Sequence, residues 1–342
     1  MGNFKKNISI KDVARISGVS VATVSRIINN TGRFSKETQE KVNKVIKELG
    51  YGPNKLAVSL RSHMSHSVGI LVPDITNEFY AAIVKKCESL LFESNFSSII
   101  CNTERSSVRE KAYLQMLMEH RVDGLIIISS NISGESLVSQ NLIPTIYIDR
   151  EPDNKNRLII SSAHYEGGLL ATNFLLKQNL SPFLVMTKTK SSSTLARVRA
   201  FKDALRKAKI KNIDSRILSL NITSDNFIAR NMELNQFIKN AISSPGVPGV
   251  FGINDHVAYM VIKSANELGI KVPNQLSVIG FDGTYFSDVS SPKITTIVQN
   301  TDILAKKACD SLLNLISNTT SKEAQSGVIE VPVHLVIKES TI

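Results

Sequence analysis

Two sets of side chains in this chain of 342 residues are spaced for recognition rather than for packing. The first is Ser20, Val21, Ala22, Thr23, Ser25, Arg26 and Asn29. On one face of a short helix, Arg26 can bond a guanine edge through two parallel N–H donors. Val21 and Ala22 can pack on a thymine methyl, and Thr23, Ser25 and Asn29 suit phosphate contacts. The second set falls at the carboxyl ends of apolar runs. Asp74, Asn77, Phe79 and Tyr80 follow SVGILV, Asp149-Arg150 ends TIYIDR, and Asn254-Asp255 ends VFGIND. Asp282 ends VIGFD and Gln299 ends ITTIVQ. Carboxylates, amides and an arginine bond vicinal hydroxyls, and aromatic rings cover the apolar face of a sugar, so such a set can wall a carbohydrate cleft. Each residue also has a plainer use, because Asp and Asn cap helices, and Asn254 and Asp255 can simply cap the helix that follows them.

The elements that must position the first set are short helices. Ser9 is placed to cap one, with Asp12 three residues on, and Val13, Ala14 and Ile10 facing inward. Gly18-Val19-Ser20 makes a tight turn, and Ser20 caps a second helix whose inward face is Val24, Ile27 and Ile28. Ser35 caps a third, with Val42, Val45, Ile46 and Leu49 inward and Gly50 at its end. Helix, turn, helix is the arrangement whose second helix enters the major groove of DNA. A core this small contributes only about a few kcal/mol by itself. Charge agrees with a polyanion partner. Residues 1–66 hold twelve Lys and Arg against four Asp and Glu, an excess of +8 out of the chain's +11.

Arg61 to Ser67 reads as a polar linker, with His63 and His66 solvated rather than metal-binding. From Val68 onward apolar strands alternate with helical patterns, which predicts doubly wound parallel sheets in two lobes. In such sheets ligands bind beyond the carboxyl ends of the strands, where the second set lies. The expected organisation is an all-α helix-turn-helix head at 1–52, a short helical segment and linker at 53–67, and an α/β domain at 68–342. Its lobes comprise 68–163 with 300–326, and 164–297 with 328–342.

Other function classes find little support. No apolar run approaches the roughly 20 residues needed to span a bilayer. MGNFKK has Lys6 where a myristoylation site needs Ser or Thr, and the N-terminal stretch has no apolar core of a secretory signal. Cys87, Cys101 and Cys309 are widely spaced in apolar surroundings, which predicts reduced thiols in a cytoplasm, with no metal site. There is no G-x-S-x-G, P-loop or G-x-G-x-x-G, and Asp255-His256 beside Asp282 is the nearest approach to an acid–base cluster. We expect no catalysis and no cofactor.

The run DVA (12–14), GVS (18–20), ATVSRIIN (22–29), LGY (49–51) and PNKLAVSL (53–60) resembles the DNA-binding head of the lactose/galactose repressor family of bacterial regulators. That resemblance implies a homodimer on a pseudo-palindromic double-stranded operator. It also implies a hinge helix carrying Asn54 and Ala57, with Leu60 as a minor-groove wedge. Val58 stands where the family usually has arginine. VPDITNEFY (72–80), IDR (148–150), ARVRAF (196–201), IND (253–255), SVIGFDG (277–283) and ITTIVQ (294–299) resemble the family's effector domain, itself similar to periplasmic sugar-binding proteins. The implied effector contacts are Asn77, Phe79, Tyr80, Asp149, Arg150, Arg197, Asn254, Asp255, Asp282 and Gln299. Asn-x-Phe-Tyr and Asp-Arg look like ribose-type binders and YLQMLM (113–118) is similar to sucrose repressors, whereas Ala163-His164, Ala200 and Gly283 depart from the family pattern. The implied function is repression of a carbohydrate operon, relieved by a sugar. A nucleobase or phosphoprotein corepressor is the alternative effector, and a solute-binding protein the remote one.

Overall fold

A computed structural model describes residues 8–28, 30–51, 64–128, 143–149, 157–188, 191–221, 227–317 and 326–342. The chain divides into two compact units, Met1–Ser65 and His66–Ile342.

In the first unit, α1 (Ile10–Ser17), α2 (Val21–Ile28) and α3 (Lys36–Leu49) start and stop where the local chemistry directs. The Ser9 backbone N–H donates to Asp12 Oδ2 at 3.0 Å, the return half of a capping box. Gly18 ends α1 in the left-handed region with φ 68°, where a side chain is strained. Ser20 Oγ accepts from Thr23 N at 3.1 Å and Ser35 Oγ from Thr38 N at 3.2 Å, so a hydroxyl opens both following helices. Val13, Ala14, Val24, Ile27, Val42 and Val45 form the core, one or two residues per turn from each helix.

The second unit contains two six-stranded sheets. Its first sheet comprises β1 (Ser67–Val72), β2 (Ser97–Asn102), β3 (Gly124–Ile128), β4 (Thr145–Ile148), β5 (Leu158–Ser162) and β11 (Gly327–Val331), in the order β11-β5-β4-β3-β1-β2 and parallel throughout. Its second comprises β6 (Ser181–Thr187), β7 (Ile217–Leu220), β8 (Pro248–Gly252), β9 (Ser277–Asp282), β10 (Thr295–Val298) and β12 (His334–Val336), in the order β12-β10-β9-β8-β6-β7. Only β12 runs antiparallel there. Strands buried on both faces need continuous apolar sequence, and GLIII of β3 is buried at all five positions.

Helices between the strands are α4 (Glu78–Glu93), α5 (Ser107–Glu119), α6 (His164–Lys177), α7 (Ser192–Lys207), α8 (Phe227–Ile242), α9 (Asp255–Glu267), the short α10 (Phe286–Val289) and α11 (Thr301–Ser317). The chain passes between sheets after β5, after β10 and after β11. The third crossing corrects the expected lobe boundary. The expectation puts 328–342 in the second lobe, yet β11 pairs with β5 of the first sheet, from Gly327 beside Leu158 to Val331 beside Ser162. Pro332 follows β11 and has no N–H to continue a ladder, so the two strands separate into different sheets there. The sequence marks β5 and α6 weakly, because β5 is short and Gly167-Gly168 weakens the helical signal of α6. Gly168 is required by packing. A Cβ there would stand 2.8 Å from the Ala200 Cβ and 2.9 Å from the Arg197 carbonyl oxygen, so its absence lets α6 and α7 lie in contact.

Candidate functional site

Beyond the carboxyl ends of the two sheets lies a cavity of about 460 Å³. One wall comes from the first sheet. The turn from β1 to α4 supplies Asp74, Thr76, Asn77, Glu78, Phe79 and Tyr80, the loop after β2 supplies Arg105, and the end of β4 supplies Asp149. The other wall comes from the second. Thr187 ends β6, Ser191, Ser193, Thr194 and Arg197 belong to the start of α7, and Ile253, Asn254 and His256 join β8 to α9. Asp282, Thr284 and Phe286 follow or end β9.

Local chemistry fixes each wall. Asn77 Oδ1 accepts from Phe79 N at 3.1 Å and Tyr80 N at 3.3 Å, capping α4. The Phe79 and Tyr80 rings then meet edge to face, 5.7 Å between centroids. Asp74 Oδ1 accepts from Thr76 N at 3.0 Å and Thr76 Oγ1 at 2.6 Å, holding the turn. Asn254 Oδ1 accepts from Val257 N at 2.9 Å, so its helix-capping use is realised while its residue still lines the cavity. Ser191 Oγ caps α7 through Thr194 N at 3.2 Å. Phe286 stacks on His256 with 5.1 Å between ring centroids.

The floor is a buried polar chain. Asp149 has φ 53°, and its Oδ1 accepts from Ser162 N at 3.0 Å and Ser161 Oγ at 3.1 Å. His164 Nε2 lies 2.9 Å from the same oxygen. Arg197 Nη1 donates to the Ile253 carbonyl at 2.7 Å, and Arg197 Nη2 lies 3.3 Å from Asp282 Oδ1. Gln299 Nε2 donates to Asp282 Oδ1 at 2.7 Å. Ser192 Oγ donates to the Asp149 carbonyl at 3.3 Å, a second link between lobes. Burial alone would raise the Asp149 carboxyl, but His164, the Ser162 N–H and Arg197 outweigh it and hold it below its ordinary value. At Asp282 burial wins over Arg197 and Gln299, and the carboxyl is pushed up to about 6.

The cavity brings together Asn77, Phe79, Tyr80, Asp149, Arg197, Asn254 and Asp282 of the expected set. Two members need correction. Asp255 is fully buried behind the wall, where its carboxylate accepts from Thr284 N at 2.6 Å, Thr284 Oγ1 at 3.1 Å and Thr296 Oγ1 at 2.5 Å. It holds the loop after β9 instead of facing the cavity. Burial and the neighbouring Asp282 push its carboxyl up to about 7. Gln299 likewise reaches Asp282, not the cavity wall. Arg150 lies outside the described residues. Sequence reasoning missed Arg105, Thr187 and the Ser191–Thr194 run. The strand-end rule applied to SPFLVMT would have found the last two, because Thr187 ends β6 and the run opens the next helix.

In the first unit, Ala22 and Arg26 are exposed one turn apart on α2, with Thr23 and Ser25 half-buried beside them. Val21 differs from expectation: it is half-buried against the helical core, because the turn after Gly18 brings Val19 and Val21 onto it. Ser20 serves as the cap of α2. Asn29, Asn54, Ala57 and Leu60 lie outside the described residues, as does Val58. Among the described residues no group of His, Cys, Asp and Glu is arranged to hold a metal ion, and no helix is long and apolar enough to cross a membrane.

Comparison with known proteins finds a family match in each unit. Residues 9–54 match "Bacterial regulatory proteins, lacI family", and residues 172–341 match "Periplasmic binding protein-like domain". The HTH-type transcriptional repressor PurR of Vibrio atlanticus is 31% identical over 338 residues, 98% of each chain. The sucrose operon repressor of Streptococcus mutans is 34% identical over 311 residues, 90% of this chain and 93% of that one. The crystal structure of the lac repressor dimer bound to operator and the anti-inducer ONPF superposes with a TM-score of 0.84 at 25% identity, covering 98% of this chain and 100% of that one.

Proposed function

The chain belongs to the lacI family of bacterial regulatory proteins, and on that premise we propose that it is a dimeric, cytoplasmic repressor of a carbohydrate-utilisation operon, released from its operator by a sugar. It is a DNA-binding transcriptional regulator and not an enzyme. The observation that carries the sugar reading is the cleft floor, where Arg197 lies against Asp282 and, through His164, next to Asp149. A guanidinium among carboxylates offers donors and acceptors a few ångströms apart, which is what adjacent hydroxyls require.

The head reads DNA through Ala22 and Arg26, with Ser20, Val21, Thr23, Ser25 and Asn29 positioning the helix. Asn54, Ala57 and Leu60 serve the hinge by resemblance. The effector is held by Asn77, Phe79, Tyr80, Asp149, Arg150, Arg197, Asn254 and Asp282, with Gln299 and Asp255 supporting them. The domain division is that of a head at 1–52, a hinge and linker at 53–67, and an effector domain at 68–342, with β11 counted in the first lobe. Sugar binding draws the lobes together, and for release it must prefer the low-affinity state by about 3–5 kcal/mol.

Footprinting on the gene's own upstream region, with and without ribose, fructose, sucrose and purines, tests this. Protection of a pseudo-palindrome that is lost with one sugar is the expected result. Protection strengthened by a purine, or unchanged by every sugar, overturns the inducer reading.

A further inference from the structure

His164 was outside the expected effector set, yet it joins the two lobes beneath the cleft. It is 5% exposed and opens α6, directly after the chain leaves the first sheet. Its Nδ1 lies 3.4 Å from Arg197 Nε and 3.2 Å from Arg197 Nη2. A guanidinium only donates, so Nδ1 must accept, and the ring proton resides on Nε2. That nitrogen is the one 2.9 Å from Asp149 Oδ1.

The consequence lies in how Arg197 is used. Its five N–H groups form a fork. Nε and one Nη2 hydrogen point at His164, Nη2 also meets Asp282, and Nη1 serves the Ile253 carbonyl. The flat face rests 3.6 Å from the centroid of the Phe281 ring. These contacts leave one N–H, on Nη1, for an effector. The fork edge of Nε and Nη2, which would take a carboxylate or phosphate in two parallel bonds, is occupied.

We propose that His164 is a positioning residue that sets effector specificity: by occupying the fork of Arg197 and holding Asp149 beside it, it makes the cleft floor accept a neutral hydroxyl group and reject an anionic one. The inference rests on the cleft being the effector site. A hydroxyl gives its proton to Asp149 or Asp282 and accepts from Nη1. At the floor, a phosphate or carboxylate finds one donor of Arg197 between two carboxylates and is repelled.

The test uses the full chain and matched probes: ribose and ribose 5-phosphate, fructose and fructose 6-phosphate, sucrose and sucrose 6-phosphate. Each is titrated calorimetrically into the wild type, His164→Leu and His164→Gln. The wild type should bind the neutral member of one pair at least about tenfold tighter than its phosphate. His164→Leu frees the fork and should narrow that ratio about tenfold. His164→Gln, able to accept from Arg197 and donate to Asp149, should restore it. A purely structural role would weaken both members of a pair equally, so an unchanged ratio in His164→Leu overturns the proposal. A wild type that prefers the phosphate overturns it too, while leaving the cleft as the effector site. If no probe binds the wild type, the effector reading itself falls, and this proposal with it. Nitrogen NMR of the wild-type imidazole is independent of the variants' folding. A bare Nδ1 and protonated Nε2 are expected, and a proton on Nδ1 overturns the assignment.

Discussion

Gln299 donates its side-chain amide to Asp282 at 2.7 Å, tying the segment that returns from the second lobe to the first onto the floor of the cleft. Asp282 is held by two partners on that one oxygen, with Arg197 Nη2 at 3.3 Å from it. Its carboxyl nevertheless titrates near 6, because burial costs the charge more than these partners return.

Effector affinity should therefore depend on pH. Above about 6 Asp282 is ionised and accepts from Arg197, Gln299 and a bound hydroxyl. Below it the proton occupies one acceptor site and the pair with Arg197 is lost. A ligand that needs the ionised form then loses affinity, by at most about tenfold per pH unit. Calorimetry from pH 8 to pH 5 reads this. Affinity that rises on acidification would show that Asp282 does not contact the effector as a carboxylate.

Asp255 predicts the opposite kind of pH effect, on stability. Its folded carboxyl is pushed up to about 7, against 3.8 for a free aspartate. Between those values the folded state holds a proton that the unfolded state has released. The stabilisation is full below the lower value and lost as pH rises through about 7. Moving from pH 6 to pH 8 should cost about 1 kcal/mol at this residue. Asp255→Asn keeps an acceptor for Thr284, and the Thr296 hydroxyl can turn to accept from its amide. The variant should fold, bind effector within about threefold of wild type, and show a flatter melting temperature against pH. A large loss of effector binding in a folded Asp255→Asn protein would return this residue to the ligand set.

Arg26 is the base-reading side chain of the proposal. Arg26→Ala should cost about 1–3 kcal/mol on the operator and relax base preference at one position in each half-site, with little effect on random DNA. Quantitative footprinting over a set of single-base operator variants separates the cases. Equal weakening on operator and random DNA would make Arg26 a phosphate contact instead.

How much of this was legible beforehand follows from the range of each interaction. The head was readable almost throughout because its signals are local: Ser9, Ser20 and Ser35 act within three residues of themselves, and Gly18 and Gly50 mark ends by backbone conformation. The strand ends were readable because a parallel sheet aligns them on one side. Six of the seven expected effector residues that line the cavity do so for that reason, and Arg197, within α7, was expected from the family resemblance alone. Asp255 and Gln299 were misplaced because adjacent residues at a strand end turn in different directions, and only Asn254 of its pair turns inward. His164 gave no local signal at all. Its partners are 15 and 33 positions away, and their meeting depends on the crossing after β5.

The contact of α6 with α7 shows how such a distant meeting is held. Gly168 stands where any Cβ would press within 2.9 Å of the Arg197 carbonyl oxygen, and Gly167 lies under the Phe281 ring that supports the guanidinium. Gly168→Val therefore acts on the cleft from its back. Overpacking of this kind costs about 1–3 kcal/mol, and β-branching restores little of what glycine lost in the helix. The backbone of α7 must retreat, and Arg197 with it. The expected outcome is a lower melting temperature together with effector affinity reduced about tenfold or more, while operator binding by the separate head persists. Circular dichroism, calorimetry and footprinting on one preparation check the three readings. A variant with a lowered melting temperature and unchanged effector affinity would show that Arg197 is not positioned through this contact.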